Sequence, residues 1–123
     1  MNISAKTNVL AVIGKPIRHS LSPKIHNFLS ERLGLDYVYT AFEPESMAGV
    51  PEAIKTLGIC GVNVTAPFKY DALALVDEVC EDALIGGSVN TIVNKKYDFL
   101  KKMVAYYCKK WYNRCNIISL HYI

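Results

Sequence analysis

The sequence predicts an α/β fold, a mostly parallel sheet with helices on both faces, and three observations lead to it. Short apolar runs, two of them rich in β-branched or aromatic residues, recur along the first 94 residues and end in glycine or polar groups. Between them lie segments whose apolar positions repeat with helical spacing. The resulting order, strand, helix, strand, helix, strand, helix, strand, is that of an α/β layer fold with right-handed crossovers.

Residues 8–14, "NVLAVIG", form a short apolar run closed by glycine, as expected of a buried strand. Ser22 is placed to cap the next helix, and Pro23 fits its first turn because a missing N–H costs nothing there. Ile25, Phe28, Leu29 and Leu33 then recur at helical spacing until Gly34. Residues 36–42, "DYVYTAF", have strand composition and lead into a turn around Pro44. Residues 50–57 predict a second helix stopped by Gly58, and residues 61–65, "GVNVT", a third strand. Residues 69–76 and 78–84 predict further helical pieces. Residues 88–94, "SVNTIVN", predict a fourth strand, entered through Gly86 and Gly87.

At 123 residues, 51% hydrophobic and 20% charged, the chain suffices for one modest domain with a core. The apolar run at residues 9–13 is too short to span a membrane, and the start lacks the pattern of a signal peptide, so a cytoplasmic location is expected. Cys60, Cys80, Cys108 and Cys115 are widely spaced, which with no export signal predicts reduced thiols. Cys108, Cys115 and His121 have no familiar zinc-ligand spacing, and no metal site is expected. The charge is split along the chain. Residues 1–94 hold 7 Lys and Arg against 10 Asp and Glu, whereas residues 95–123 hold 7 against 1.

In open α/β sheets the ligand crevice lies beyond the carboxyl ends of the strands, which singles out the loops after Gly14, Thr65 and Asn90. Ser20, Ser22, Asn63, Thr65, Lys69 and Asn90 all follow or end predicted strands there. The two serines sit at a helix N-terminus, where free N–H groups and the positive dipole end favour a carboxylate or another anion. The amides and Thr65 suit a neutral polyol, and Lys69 is the one member able to give or take a proton. Each residue also has a plainer reading: Ser22 as a helix cap, Asn63 as a partner of strand-end backbone, Thr65 as a strand former, Lys69 as a solvated side chain. His19 and His26 are read as structural or solvated, and Gly86-Gly87 as a turn.

Three segments in order, "GKPIRHSLSPKIHN" (14–27), "GVNVTAPFK" (61–69) and "GGSVNTIV" (86–93), closely resemble the substrate-binding half of shikimate dehydrogenase. The resemblance implies an α/β domain holding shikimate or 3-dehydroshikimate and, in the full-length family, NADP-dependent reduction of 3-dehydroshikimate by hydride from NADPH in aromatic amino-acid biosynthesis. It implies that Ser20 and Ser22 hold the substrate carboxylate, that Asn63, Thr65 and Asn90 contact the ring hydroxyls, and that Lys69 is catalytic. Gly87-Ser88 departs from the family, which more often has a single small residue before Val-Asn-Thr.

After residue 94 the resemblance stops. The family's Asn-Thr-Asp-Gly stretch, whose aspartate partners the lysine, and its glycine-rich nucleotide-binding domain are not found, and Asp98 does not fit the role. Residues 1–94 are therefore read as the substrate-binding domain and residues 95–123 as a basic, aromatic tail foreign to the family. Lys, Asn, Ile, Tyr and Phe make up 17 of those 29 residues, against 25 of the first 94, which suggests out-of-frame translation of an AT-rich gene. The expectation is a substrate domain inactive alone, with a small-molecule partner and no cofactor bound by this chain. The alternative is a non-catalytic shikimate-binding module or a vestigial fragment, its tail binding nucleic acid through Lys and Arg on phosphates and Tyr or Trp stacking. Phe99, Leu100, Met103, Val104 and Tyr107 have roughly helical spacing and offer a helix packed on the sheet.

Overall fold

A computed structural model describes residues 1–95 and the backbone of Lys102–Tyr106. Six strands form one sheet: β1 (Asn8–Ile13), β2 (Tyr37–Phe42), β3 (Gly61–Val64), β4 (Glu78–Val79), β5 (Thr91–Lys95) and β6 (Lys102–Tyr106). Their spatial order is β2-β1-β3-β5-β6-β4. β1 pairs in parallel with β2 and β3, and β4 with β6, while β5 runs antiparallel to both β3 and β6. The helices are α1 (Ser22–Arg32), α2 (Val50–Leu57) and α3 (Glu81–Gly86).

The apolar character of β1 follows from burial on both faces. Ala11 and Ile13 join Ile54 of α2, Val62, Val64, Phe68 and Ile92 in the larger core cluster. Leu10 and Val12 face the other way, into a smaller cluster with Ile17 and Tyr39. Asn63 and Thr91 alternate with Val62 and Ile92, which puts them on the Tyr39 side of the sheet. Gly34 ends α1 at φ 65°, with Leu35 N–H donating to Ser30 C=O at 2.9 Å and Gly34 N–H to Glu31 C=O at 3.3 Å. This pair of bonds is a Schellman stop.

The helix α1 forms where its spacing predicts but turns its apolar stripe outward: Phe28 is 55% exposed and Leu33 56%, and its one fully buried residue is Ser30. Its inner side is polar instead. Asn27 donates from Nδ2 to Tyr39 C=O at 2.8 Å and accepts Tyr39 N–H at Oδ1 at 2.7 Å. The His26 ring stacks on that of Tyr39, centroids 4.2 Å apart and planes 12° from parallel.

Four expectations are corrected. Ser22 does not cap α1; it is the first helical residue, and Ser20 Oγ accepts its N–H at 3.3 Å. Residues 69–76 make a single 3₁₀ turn, Asp71–Ala74, because main-chain bonds from Phe68 N–H to Thr65 C=O and from Val89 N–H to Lys69 C=O tie the segment down. Glu78 and Val79 are a short strand beside β6, and α3 begins only at Glu81, its acidic first turn suited to the dipole. Met103 and Val104 lie in β6, paired with Asn94 and Val93, and not in a helix. Phe99, Leu100 and Tyr107, like Cys108, Cys115 and His121, lie outside the described residues.

Candidate functional site

The sheet brings the candidate residues to one edge, in part for a reason the strand order alone does not reveal. β1 and β3 are parallel, so Gly14 and Thr65 follow their carboxyl ends side by side. Because β5 is antiparallel to β3, with Asn63 opposite Thr91, it is the amino end of β5, at Asn90, that arrives at that edge.

Gly14 is buried between the two loops. A Cβ built on it would stand 2.4 Å from Thr65 Cγ2, 3.0 Å from Ile17 Cδ1 and 3.2 Å from Ala66 C=O. Main-chain bonds on both sides hold that approach: Thr65 N–H to Ile13 C=O at 2.9 Å and Lys15 N–H to Ala66 C=O at 3.1 Å. The Lys15-Pro16 and Ala66-Pro67 peptide bonds are both cis. Glu43 Oε2 accepts Ile17 N–H at 2.8 Å, and Ser20 N–H donates to Ile17 C=O at 2.9 Å, so the segment before α1 is anchored up to the first serine.

Asn63 and Asn90 meet in a hydrogen-bonded cluster. Tyr39 O–H donates to Asn63 Oδ1 at 2.7 Å; Asn63 Nδ2 donates to Asn90 C=O at 3.4 Å and to Thr91 Oγ1 at 3.3 Å; Thr91 O–H donates to Asn90 Oδ1 at 3.0 Å. Burial pushes the Tyr39 phenol far above its ordinary pKa, so it keeps its proton, and burial lowers that of His26. The buried His26 Nδ1 has no hydrogen-bond partner. Lys69 enters through its main chain, its carbonyl accepting Val89 N–H at 2.9 Å one residue from Asn90.

Ser20, Ser22, Asn63, Thr65, Lys69 and Asn90 are all half-buried. The structure joins Asn63 to Asn90 directly, and Thr65 to Gly14 by contact. The serines belong to the same edge through the anchored segment 15–20, with no hydrogen bond to the amides. His19 is exposed. Tyr39 and Thr91 are the residues that sequence reasoning missed. Tyr39 is at the centre of β2 on an alternating run, and Thr91 follows Asn90, but only the register shows that both face Asn63. A separate cavity of about 230 Å³, lined by Met1, Thr7, Ser30, Glu31, Gly34 and Asp36 among others, opens at the opposite end of β1 and β2.

The described residues do not fit a dinucleotide. The turn after β1 carries one glycine, already packed against Thr65, and α1 opens eight residues further on without a glycine-rich loop. Among them, no three of His, Cys, Asp and Glu gather as a metal-binding group, and no helix is long and apolar enough to cross a membrane.

A mixed sheet with helices on both faces and half-buried serine, asparagine, threonine and lysine residues at the ends of β1 and β3 and the start of β5 defines an α/β domain with a polar rim at that end of the sheet. Residues 12–92 match the family model described as the shikimate dehydrogenase substrate binding domain. The chain belongs to the shikimate dehydrogenase family. It is 47% identical over 95 residues to the shikimate dehydrogenase (NADP(+)) of Alkaliphilus metalliredigens, covering 76% of this chain and 33% of that protein. To that of Methanopyrus kandleri it is 46% identical over 94 residues, covering 75% and 32%. The chain thus spans about a third of the length of these relatives. Among solved structures, shikimate dehydrogenase from Aquifex aeolicus superposes with a TM-score of 0.78 at 40% identity, covering 85% of this chain and 39% of that one. The Listeria monocytogenes shikimate 5-dehydrogenase in complex with shikimate and NAD gives 0.78 at 35% identity, covering 86% and 36%.

Proposed function

We propose that the edge formed by the ends of β1 and β3 and the start of β5 binds shikimate or 3-dehydroshikimate, and that the chain lacks dehydrogenase turnover by itself. The observation that carries this reading is the joining of Asn63 to Asn90 beside the Gly14–Thr65 contact, inside the segment that matches the family's substrate-binding domain. Ser20 and Ser22, at the amino end of α1, hold the carboxylate, with hydroxyl donors and the helix dipole acting together. Asn63, Thr65 and Asn90 meet the ring oxygens. Lys69 is the proton donor and acceptor at the oxygen that changes between carbonyl and hydroxyl. Residues 1–94 carry every residue of this binding part, and β6 (Lys102–Tyr106) extends its sheet between β5 and β4. The chain acts in the cytoplasm, where cysteine thiols stay reduced. NADP serves the full-length relatives, not this chain: the described residues offer it no loop, and hydride transfer depends on holding both reactants in one geometry.

Titration of the 123-residue chain with shikimate, followed by NADP reduction, tests the proposal. Saturable binding without turnover is expected. No binding at millimolar shikimate overturns the binding reading, and measurable NADP reduction overturns the reading of inactivity.

A further inference from the structure

A chain of three hydrogen bonds runs from the end of β2 to the serines at the amino end of α1. It starts on Glu43, the residue after β2, whose Oε2 accepts Ile17 N–H at 2.8 Å. Ile17 C=O in turn accepts Ser20 N–H at 2.9 Å, and Ser20 Oγ accepts Ser22 N–H at 3.3 Å. The first bond has a cause in the packing. Ile17 is buried with Leu10, Val12 and Tyr39, which holds its N–H beside the core, where it needs an acceptor. Among the described residues no main-chain carbonyl supplies one, and Glu43 does. No cation draws Glu43 away, because Lys15 pairs with Glu45 instead, and among the described residues no ion pair involves Glu43.

The place of this bond in the segment gives it its weight. Gly14 N–H and Lys15 N–H are bound to Phe42 C=O and Ala66 C=O, but beyond Lys15 the Glu43 bond is the one hydrogen bond, among the described residues, that ties residues 16–22 to the sheet. A carboxylate accepts an N–H more strongly than a neutral oxygen does, and bonds in series polarise one another. At the far end, accepting Ser22 N–H leaves the Ser20 hydroxyl its own proton to give.

We propose that Glu43 is a positioning residue: its carboxylate sets where Ser20 and Ser22 stand, and so the affinity of this edge for a ligand carboxylate. That the serines meet a carboxylate rests on the binding reading above; that Glu43 holds their segment does not.

Three variants separate reach from charge. Glu43→Gln keeps the reach and an acceptor oxygen and drops the charge, Glu43→Asp keeps the charge and draws the acceptor back by one carbon, and Glu43→Ala removes both. Amide hydrogen exchange of the ¹⁵N-labelled chain should be about tenfold faster at Ile17 and Ser20 in the Asp and Ala variants and within about threefold of the parent in Gln. Parent-like exchange in Glu43→Ala, with the fold intact by circular dichroism, overturns the proposal. A Gln variant that exchanges like Ala assigns the effect to charge and overturns it too. Chemical-shift titration should give about tenfold weaker shikimate binding for Asp and Ala, binding within about threefold of the parent for Gln, and no change in any variant for an analogue without the carboxylate. Equal losses on the two ligands, or unchanged shikimate binding by Glu43→Ala, overturn the ligand part. If the parent itself fails to bind shikimate, the function reading falls with that part, while the exchange rates still decide whether Glu43 holds the segment.

Discussion

Replacing Gly14 by alanine puts a methyl group into the one place where the β1 and β3 loops touch. The new Cβ would stand 2.4 Å from Thr65 Cγ2 and 3.2 Å from Ala66 C=O. The threonine methyl can rotate away; the carbonyl cannot, since Lys15 N–H holds it at 3.1 Å and Thr65 N–H is bound to Ile13 C=O at 2.9 Å. Overpacking of this kind costs about 1–3 kcal/mol, and loosening either flanking bond costs about 1 kcal/mol more. We expect Gly14→Ala to lower stability by about 2–4 kcal/mol in urea denaturation followed by circular dichroism, with the m-value unchanged. A displaced Thr65 should also weaken shikimate about tenfold, or about 1.4 kcal/mol. Gly34→Ala is the control. At φ 65° with nothing within 4 Å of its Cβ, it should lose about 1 kcal/mol through backbone strain alone and bind shikimate as the parent does. A Gly14→Ala chain within about 0.5 kcal/mol of the parent, with unchanged binding, would refute the reasoning.

Other outcomes follow from the same geometry. Asn27→Ala removes both side-chain bonds to the Tyr39 main chain and should cost about 2 kcal/mol in the same assay, at about 1 kcal/mol per bond. Burial disfavours the His26 imidazolium, so the unfolded chain takes up its proton first as pH falls below 6.5. The His26 contribution is therefore complete above pH 6.5 and is lost on acidification through the lower folded value, and His26→Phe should flatten the stability profile there; equal slopes for parent and variant would exclude this. Ser22→Ala should weaken shikimate about tenfold yet leave an analogue without the carboxylate unaffected, as measured by calorimetry. Joined to the dinucleotide-binding part of a relative, the chain should turn over, and Lys69→Ala should reduce kcat about 10²–10⁴-fold with smaller loss of binding.

What was legible in the sequence was local. β1, α1, β2, α2 and β3 announce themselves by apolar runs, helical spacing and terminal glycines, and the six candidate residues could be gathered by the rule that polar strand ends face the crevice. The direction of β5 was not legible, because the pattern of a short strand is the same whichever way it runs; pairing with β3 decides it. Nor was the polar inner side of α1, since a stripe of Phe28, Leu29 and Leu33 marks a face without saying which way it points. Residues 69–76 failed as a helix because main-chain bonds to distant Val89 and neighbouring Thr65 outweighed a weak local preference. Tyr39 and Thr91 stayed hidden because their roles depend on cross-strand register, which no single segment contains.

The pair of bonds from Asn27 has a meaning beyond its energy. β2 stands at the end of the strand order, so the N–H and C=O of Tyr39 that point away from β1 would otherwise be open to another chain. A carboxamide carries one donor and one acceptor in the spacing of a peptide unit, and here it takes up both groups as a neighbouring strand would. A single helical side chain thus plugs the middle of an open sheet edge, a built-in guard against edge-to-edge association placed directly behind the tyrosine whose hydroxyl donates to Asn63.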